Sequence, residues 1–95
     1  MISLPARKEA AQDLVDAMVW YNRKSQGLGF ELLQEVKENV ATIQQYPAGF
    51  REVVKTIRQC VLERFPYVLL YYAKERDVLI VGVFHTSRNP VEKLS

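Results

Sequence analysis

Apolar residues recur at helical spacing along the first half of the chain. Ala10, Leu14, Ala17, Met18 and Tyr21 are separated by 4, 3, 1 and 3 positions, which places them on one face of an amphipathic helix. Pro5 suits the first turn of that helix, where a missing N–H costs nothing. A second face reads Phe30, Leu33, Val36, Val40 and Ile43, at spacings of 3, 3, 4 and 3. Gly27-Leu28-Gly29 lies between the two and supplies the pliant backbone of a helix–helix turn. Helices joined this tightly lie roughly antiparallel, as an αα-hairpin.

The period changes at Tyr46-Pro47-Ala48-Gly49, and β-formers take over. The pattern predicts strands over 50–55, 57–64, 67–74 and 78–86, with residues 1–4 as a candidate fifth. Residues 74–77 are polar and read as a hairpin turn, and Phe65-Pro66 interrupts pairing between the second and third strands. The fold class is therefore α+β: an N-terminal two-helix hairpin packed on a mostly antiparallel four- to five-stranded sheet. Val68, Leu70 and Tyr72 are apolar, and so are Leu69, Tyr71 and Ala73 on the opposite parity. The last predicted strand shows the same pattern. Two helices cover one face of such a sheet. Either the strands curl around a second small core, or apolar surface waits for a partner, another polypeptide segment or a second copy in a homodimer.

Composition narrows the class further. With 95 residues, 48% of them hydrophobic and 25% charged, residues 1–95 are expected to form one globular domain rather than a disordered chain. The single Cys and single His exclude an internal disulfide and a structural zinc site, so no metal or other cofactor is expected. The first ten residues contain no apolar h-region of a signal peptide, no uncharged stretch approaches the roughly 20 residues of a membrane helix, and the expected location is the cytoplasm. The net charge of +2 is unevenly spread: residues 1–50 balance at −1 and residues 51–88 at +3. A modest basic excess of this kind fits either scattered solubilising charge or a phosphate-facing patch.

Several strings also carry a resemblance. Residues 20–36 (WYNRKSQGLGFELLQEV), the IQQYP step at 43–47, and RFPYVLLYY followed by an apolar strand ending in H-x-x-R-x-P resemble the RelE/ParE family of bacterial type II toxin–antitoxin (plasmid stabilization) toxins. The resemblance implies a growth-inhibiting toxin held by a cognate antitoxin protein that folds partly around it. It also implies one of two targets. RelE-like members enter the ribosome and cleave mRNA, as metal-independent endoribonucleases, whereas ParE-like members poison DNA gyrase without chemistry. A module that has kept the fold and lost toxicity is a third reading. The branch often carries a Trp shortly after Arg-x-Pro, and Val91-Glu92-Lys93-Leu94 stands there instead.

Cleavage of RNA by its own 2′-OH requires a proton acceptor, a proton donor and cations at the crowded phosphate. His85 is the one side chain suited to proton exchange at neutral pH. Family motifs place arginines at Arg58 and Arg88, so the candidate catalytic set is Arg58, His85 and Arg88. Lys55, Arg64 and Tyr67 complete a candidate RNA- and phosphate-binding set. Each has a structural alternative: His85 as a strand-end residue fixing a turn, Arg58 paired with Glu52 on the next strand, Lys55 as a turn residue. The third strand lacks any charge before Lys74, where nuclease members often carry an arginine, and this weighs against strong cleavage. Asp13, Asp16 and Glu9 read as a solvated helix face.

Overall fold

A computed structural model describes residues 4–75 and 77–87. Two helices, α1 (Lys8–Lys24) and α2 (Leu28–Gln45), precede a 3₁₀ turn at Pro47–Gly49. Strands β1 (Glu52–Val54), β2 (Ile57–Val61), β3 (Tyr67–Lys74) and β4 (Asp77–His85) then follow. The sheet order is β1-β2-β3-β4 and every pair is antiparallel. Such a meander needs only short reversals, and the sequence supplies them. Val54 pairs with Ile57 across Lys55-Thr56, and Lys74 pairs with Asp77 where Glu75 takes φ 58°. Thr56 takes φ 69°, an uncommon conformation for a β-branched residue.

Both helices lie on one face of the sheet. Ala10, Leu14 and Ala17 of α1 meet Leu32, Val36, Val40 and Ile43 of α2 over Leu69, Tyr71, Ile80 and Val83. The core stripe of α2 thus runs through Leu32 rather than Phe30, which is 65% exposed. Leu28, Phe30, Leu32 and Leu33 crowd one turn, and only part of that turn can face inward. Helix α2 also begins earlier than the glycine pattern predicts, because Leu28 and Gly29 belong to it. Pro5 stands outside α1. Its carbonyl accepts the Ile80 N–H (2.6 Å), and the Arg7 N–H donates to the Ile80 carbonyl (2.9 Å). The chain therefore stays extended there, with Ala6 bridged in parallel to Ile80, and the helix starts only after these bonds are made. The candidate strand over residues 1–4 lies mostly outside the described residues.

A bulge on β4 alters its alternation. Tyr71 faces Ile80, but Leu70 faces Gly82, so Val81 is one residue too many. The extra residue shifts the parity, and Ile80 and Val83, three positions apart, both reach the helix-side core. On the opposite parity Val68 and Leu70 are only 3% and 0% exposed. The Phe84 ring lies across Gly82, where an added Cβ would stand 2.3 Å from a ring carbon. Among the described residues the second face of the sheet is therefore closed at its centre, and of the two alternatives that the strand pattern leaves open the covered face is the one found. Exposed large apolar side chains of the sheet are Val61 and Leu79, while the helices expose Val15, Val19, Trp20 and Phe30.

Candidate functional site

One stripe of α1 faces the ends of β3 and β4. Asp13, Asp16, Ala17, Trp20 and Tyr21 follow one another at helical spacing and, with Tyr67, Val83, Phe84 and His85, line a cleft of about 430 Å³. Aromatic rings form most of its wall. Trp20 meets Tyr21 edge-on at 4.9 Å between centroids, Tyr21 meets Phe65 at 5.0 Å and Tyr67 at 6.1 Å, and Tyr67 meets His85 at 5.3 Å. Edge-to-face contacts of this kind hold the rings in place beyond what their burial alone contributes. Burial also pushes the Tyr21 hydroxyl above its ordinary pKa.

His85 is held by its own turn. Its Nδ1 accepts the Ser87 backbone N–H at 3.1 Å and lies 2.9 Å from Ser87 Oγ. With Nδ1 accepting, the proton of the neutral ring belongs on Nε2. The neighbours it shares in the cleft are carboxylates and aromatic rings, and no Lys or Arg stands among the described lining residues.

The other sequence candidates are elsewhere. Arg58 sits opposite Tyr71 on β3, four residues from Tyr67, the partner of His85, a separation of roughly 13 Å along the strand. Its guanidinium donates to the Phe50 carbonyl at 2.6 Å and lies 3.8 Å from the Glu52 carboxylate. The cross-strand alternative for Arg58 is thus the arrangement found. Arg64 lies beyond β2 in the loop to β3, ion-paired with Glu31 and resting on the Phe65 ring. Lys55 occupies the β1–β2 turn. Tyr67 is the one phosphate-binding candidate that lines the cleft with His85. Arg88 lies outside the described residues. Arg58 and His85 do not converge.

Two buried groups have structural explanations. Glu35, 5% exposed, accepts the backbone N–H groups of Glu63 (2.6 Å) and Arg64 (3.1 Å) and so fastens the β2–β3 loop to α2. The Cys60 thiol donates to Asn39 Oδ1 at 3.1 Å, and burial, with the nearby Glu35 charge, pushes its pKa up to about 11. A thiol so disfavoured as thiolate is a core residue, not a nucleophile. Among the described residues no group of three His, Cys, Asp or Glu is placed to hold a metal ion, and no helix is long and apolar enough to cross a membrane.

The WYN and GLG strings fold into one corner. Asn22 Oδ1 accepts the Gly29 N–H at 2.8 Å, capping α2 from the end of α1. Gly27 takes φ 88°, and a Cβ on Gly29 would stand 2.2 Å from the Met18 carbonyl oxygen. Trp20 does not help close this corner. It points to the cleft and is 51% exposed.

Residues 6–90 match the family model described as the ParE toxin of the type II toxin–antitoxin system, parDE. The chain belongs to this family. A solved structure, the chromosomal ParDE toxin–antitoxin system from P. aeruginosa, is similar to it with a TM-score of 0.74 and 26% identity, over 90% of this chain and 96% of that one. No curated protein matches. The ParE-family toxin described here is thus the toxin of a type II module with an antitoxin partner, and the RelE/ParE-like fold read from the sequence is the fold found. Sequence reading missed Asp13, Asp16 and Phe84 as cleft residues. The signal was available for the two aspartates: they lie eight and five positions before Tyr21, on the flank of the core stripe rather than opposite it.

Proposed function

We propose that this toxin inhibits growth as a ParE-like protein, by binding DNA gyrase, and performs no chemistry of its own. The observation that carries this reading is the separation of the would-be catalytic groups. Cleavage by 2′-OH attack needs a base, an acid and cations within hydrogen-bond reach of one phosphate. Arg58 is turned into the Phe50–Glu52 corner, roughly 13 Å along β3 from the register position of His85. His85 in turn shares its cleft with Asp13 and Asp16, and no Lys or Arg stands among the described lining residues. The match to the family model of ParE toxins supports the same target class.

The test is induced expression in a sensitive host beside an assay of purified gyrase. Loss of supercoiling by the purified toxin, with mRNA 5′ ends unchanged in primer extension, is the expected pattern. New mRNA 5′ ends with normal supercoiling would return the assignment to a ribosome-dependent nuclease.

A further inference from the structure

Val68 and Leu70 of β3 are 3% and 0% exposed, yet they have the parity opposite to Leu69 and Tyr71 and are not members of the helix-side core. The Phe84 ring accounts for Leu70, because it leans over Gly82, the residue paired with Leu70. It does not account for Val68. The ladder neighbours of Val68 are Val61 and Phe84. Val61 is itself 54% exposed, and the Phe84 ring is turned toward Gly82 and so away from Val68. Another row of the same face is apolar across all four strands. Val54 pairs with Ile57, Ile57 with Tyr72, and Tyr72 with Leu79. None of these four belongs to the helix-side core, and each keeps part of its surface exposed. An apolar band this long, on a face that carries no helix, calls for a cover.

We propose that residues 88–95, which follow the last described residue, are that cover: a strap across the face, with Val91 over Val68 and Leu94 toward the Tyr72–Leu79 row. The starting point supports it. Thr86 and Ser87 form a turn, and the Thr86 N–H donates to the Pro66 carbonyl at 2.8 Å. The chain therefore leaves β4 beside Pro66, two residues from Val68, and is already turning. The reach fits as well. Pro90 favours the polyproline II conformation, whose three residues per turn put Val91 and Leu94 on one side and leave Glu92 and Lys93 to water. Val91 stands four and Leu94 seven residues past Ser87, about 12 and 22 Å in that conformation. Along β3, Val68 lies about 7 Å and Tyr72 about 20 Å from the level of Pro66. Val91 thus has slack for the reversal, and Leu94 arrives at the apolar row. Any polypeptide that docks on this face has to displace the strap first. The inference rests on neither target reading.

The experiment is nuclear Overhauser spectroscopy on the full chain with labelled methyl groups. Cross-peaks from the Val91 and Leu94 methyls to the Val68 methyls and the Tyr72 ring are expected. Val91→Asp combined with Leu94→Asp is expected to lose them, to raise the fluorescence of an apolar-surface dye severalfold and to lower the urea midpoint. Val19→Asp, on the exposed side of α1, should leave the dye signal at the parent level. If the double variant does not fold, the cross-peaks of the parent decide. Mixing labelled with unlabelled chain separates a strap from a contact between copies, and cross-peaks found only between copies would overturn the proposal. So would contacts of Val91 and Leu94 with Trp20 and Tyr21 in the cleft, or no contact with the sheet at all. A folded double variant with the parent's dye signal and urea midpoint would overturn it too. Gyrase inhibition is read separately, by the supercoiling assay.

Discussion

The two glycines of the GLG string are needed for opposite reasons, and substitution separates them. Gly29 lies inside α2 where alanine would ordinarily be preferred, with a propensity gain of about 1 kcal/mol at most. Its missing side chain is what lets α1 approach, because a Cβ there would stand 2.2 Å from the Met18 carbonyl oxygen and 2.9 Å from the Asn22 side chain. A carbonyl in a helix cannot swing aside, so the helices must part by about 1 Å to restore ordinary contact. Overpacking of that kind costs about 1–3 kcal/mol. Displacing Asn22 also removes the cap on the Gly29 N–H, worth about 1 kcal/mol. The net expectation for Gly29→Ala is a loss of about 2–3 kcal/mol, or roughly 10–20 °C in Tm for a domain of this size. Gly27 meets nothing within 4 Å, and its requirement is the φ of 88°. Gly27→Ala should cost about 1–2 kcal/mol, and Gly27→Asn less. Gly49→Ala, whose Cβ would make an ordinary 3.4 Å contact with Tyr46, is the control and should stay within about 0.5 kcal/mol. Urea unfolding followed by circular dichroism measures all four. Asn22→Ala combined with Gly29→Ala should lose less than the sum of the two, since they share one contact. A Gly29→Ala variant as stable as the parent, or more stable, would refute the close-approach account.

Four further outcomes concern Cys60, Glu35 and Arg58. Cys60, with its pKa pushed to about 11 from 9.0, should alkylate at pH 8 at least a hundredfold more slowly in the native state than in urea. A raised folded pKa contributes stability below pH 9 that is lost as pH climbs through 11, so urea midpoints should fall more steeply across that window in the parent than in Cys60→Ala, which keeps the raised Tyr21 and Tyr71 hydroxyls. Glu35→Leu leaves the Glu63 and Arg64 N–H groups unpaired and should cost about 2–4 kcal/mol in urea unfolding. Arg58→Ala should lower stability by about 1–2 kcal/mol through loss of the Phe50 bond, yet leave toxicity unchanged at equal soluble level; a folded Arg58→Ala without toxicity would return Arg58 to the site.

The hairpin, the meander and the strand positions were legible because they rest on local signals. Helical spacing of Leu14, Ala17 and Tyr21, the break at Pro47, and turn residues at 55–56 and 74–77 each act over a few residues. What sequence pattern misplaced depended on contacts made at a distance. Pro5 reads as a helix start until its carbonyl is seen to be taken by Ile80. Phe30 fits the helical period as well as Leu32 does, and only the seat of α2 on the sheet chooses between them. The double-sided apolar pattern of β3 and β4 left a second small core and a bare face equally open because alternation assumes an unbroken register. The Val81 bulge and the Phe84 ring over Gly82 are not visible in a period-two count. The cleft was missed for a related reason: its aspartates look like solvent charge until Tyr67 and His85 arrive from the far end of the chain.

Charge, in turn, has to be judged by what each group is already bound to. The excess of +3 over residues 51–88 suggests a surface for phosphate only while its members are imagined free. Arg58 is committed to Phe50 and Glu52, and Arg64 to Glu31 and the Phe65 ring. Both arginines tie the β1–β2–loop edge to its surroundings, which is the region with the fewest long strands to hold it. The carboxylates of α1 are committed as well: Asp16 is bonded to Gln12 and Asp13 has its own interaction within the chain, and both line the cleft beside His85. Which charges are already committed is a property that neither the sheet topology nor the overall pI of about 8.8 reveals.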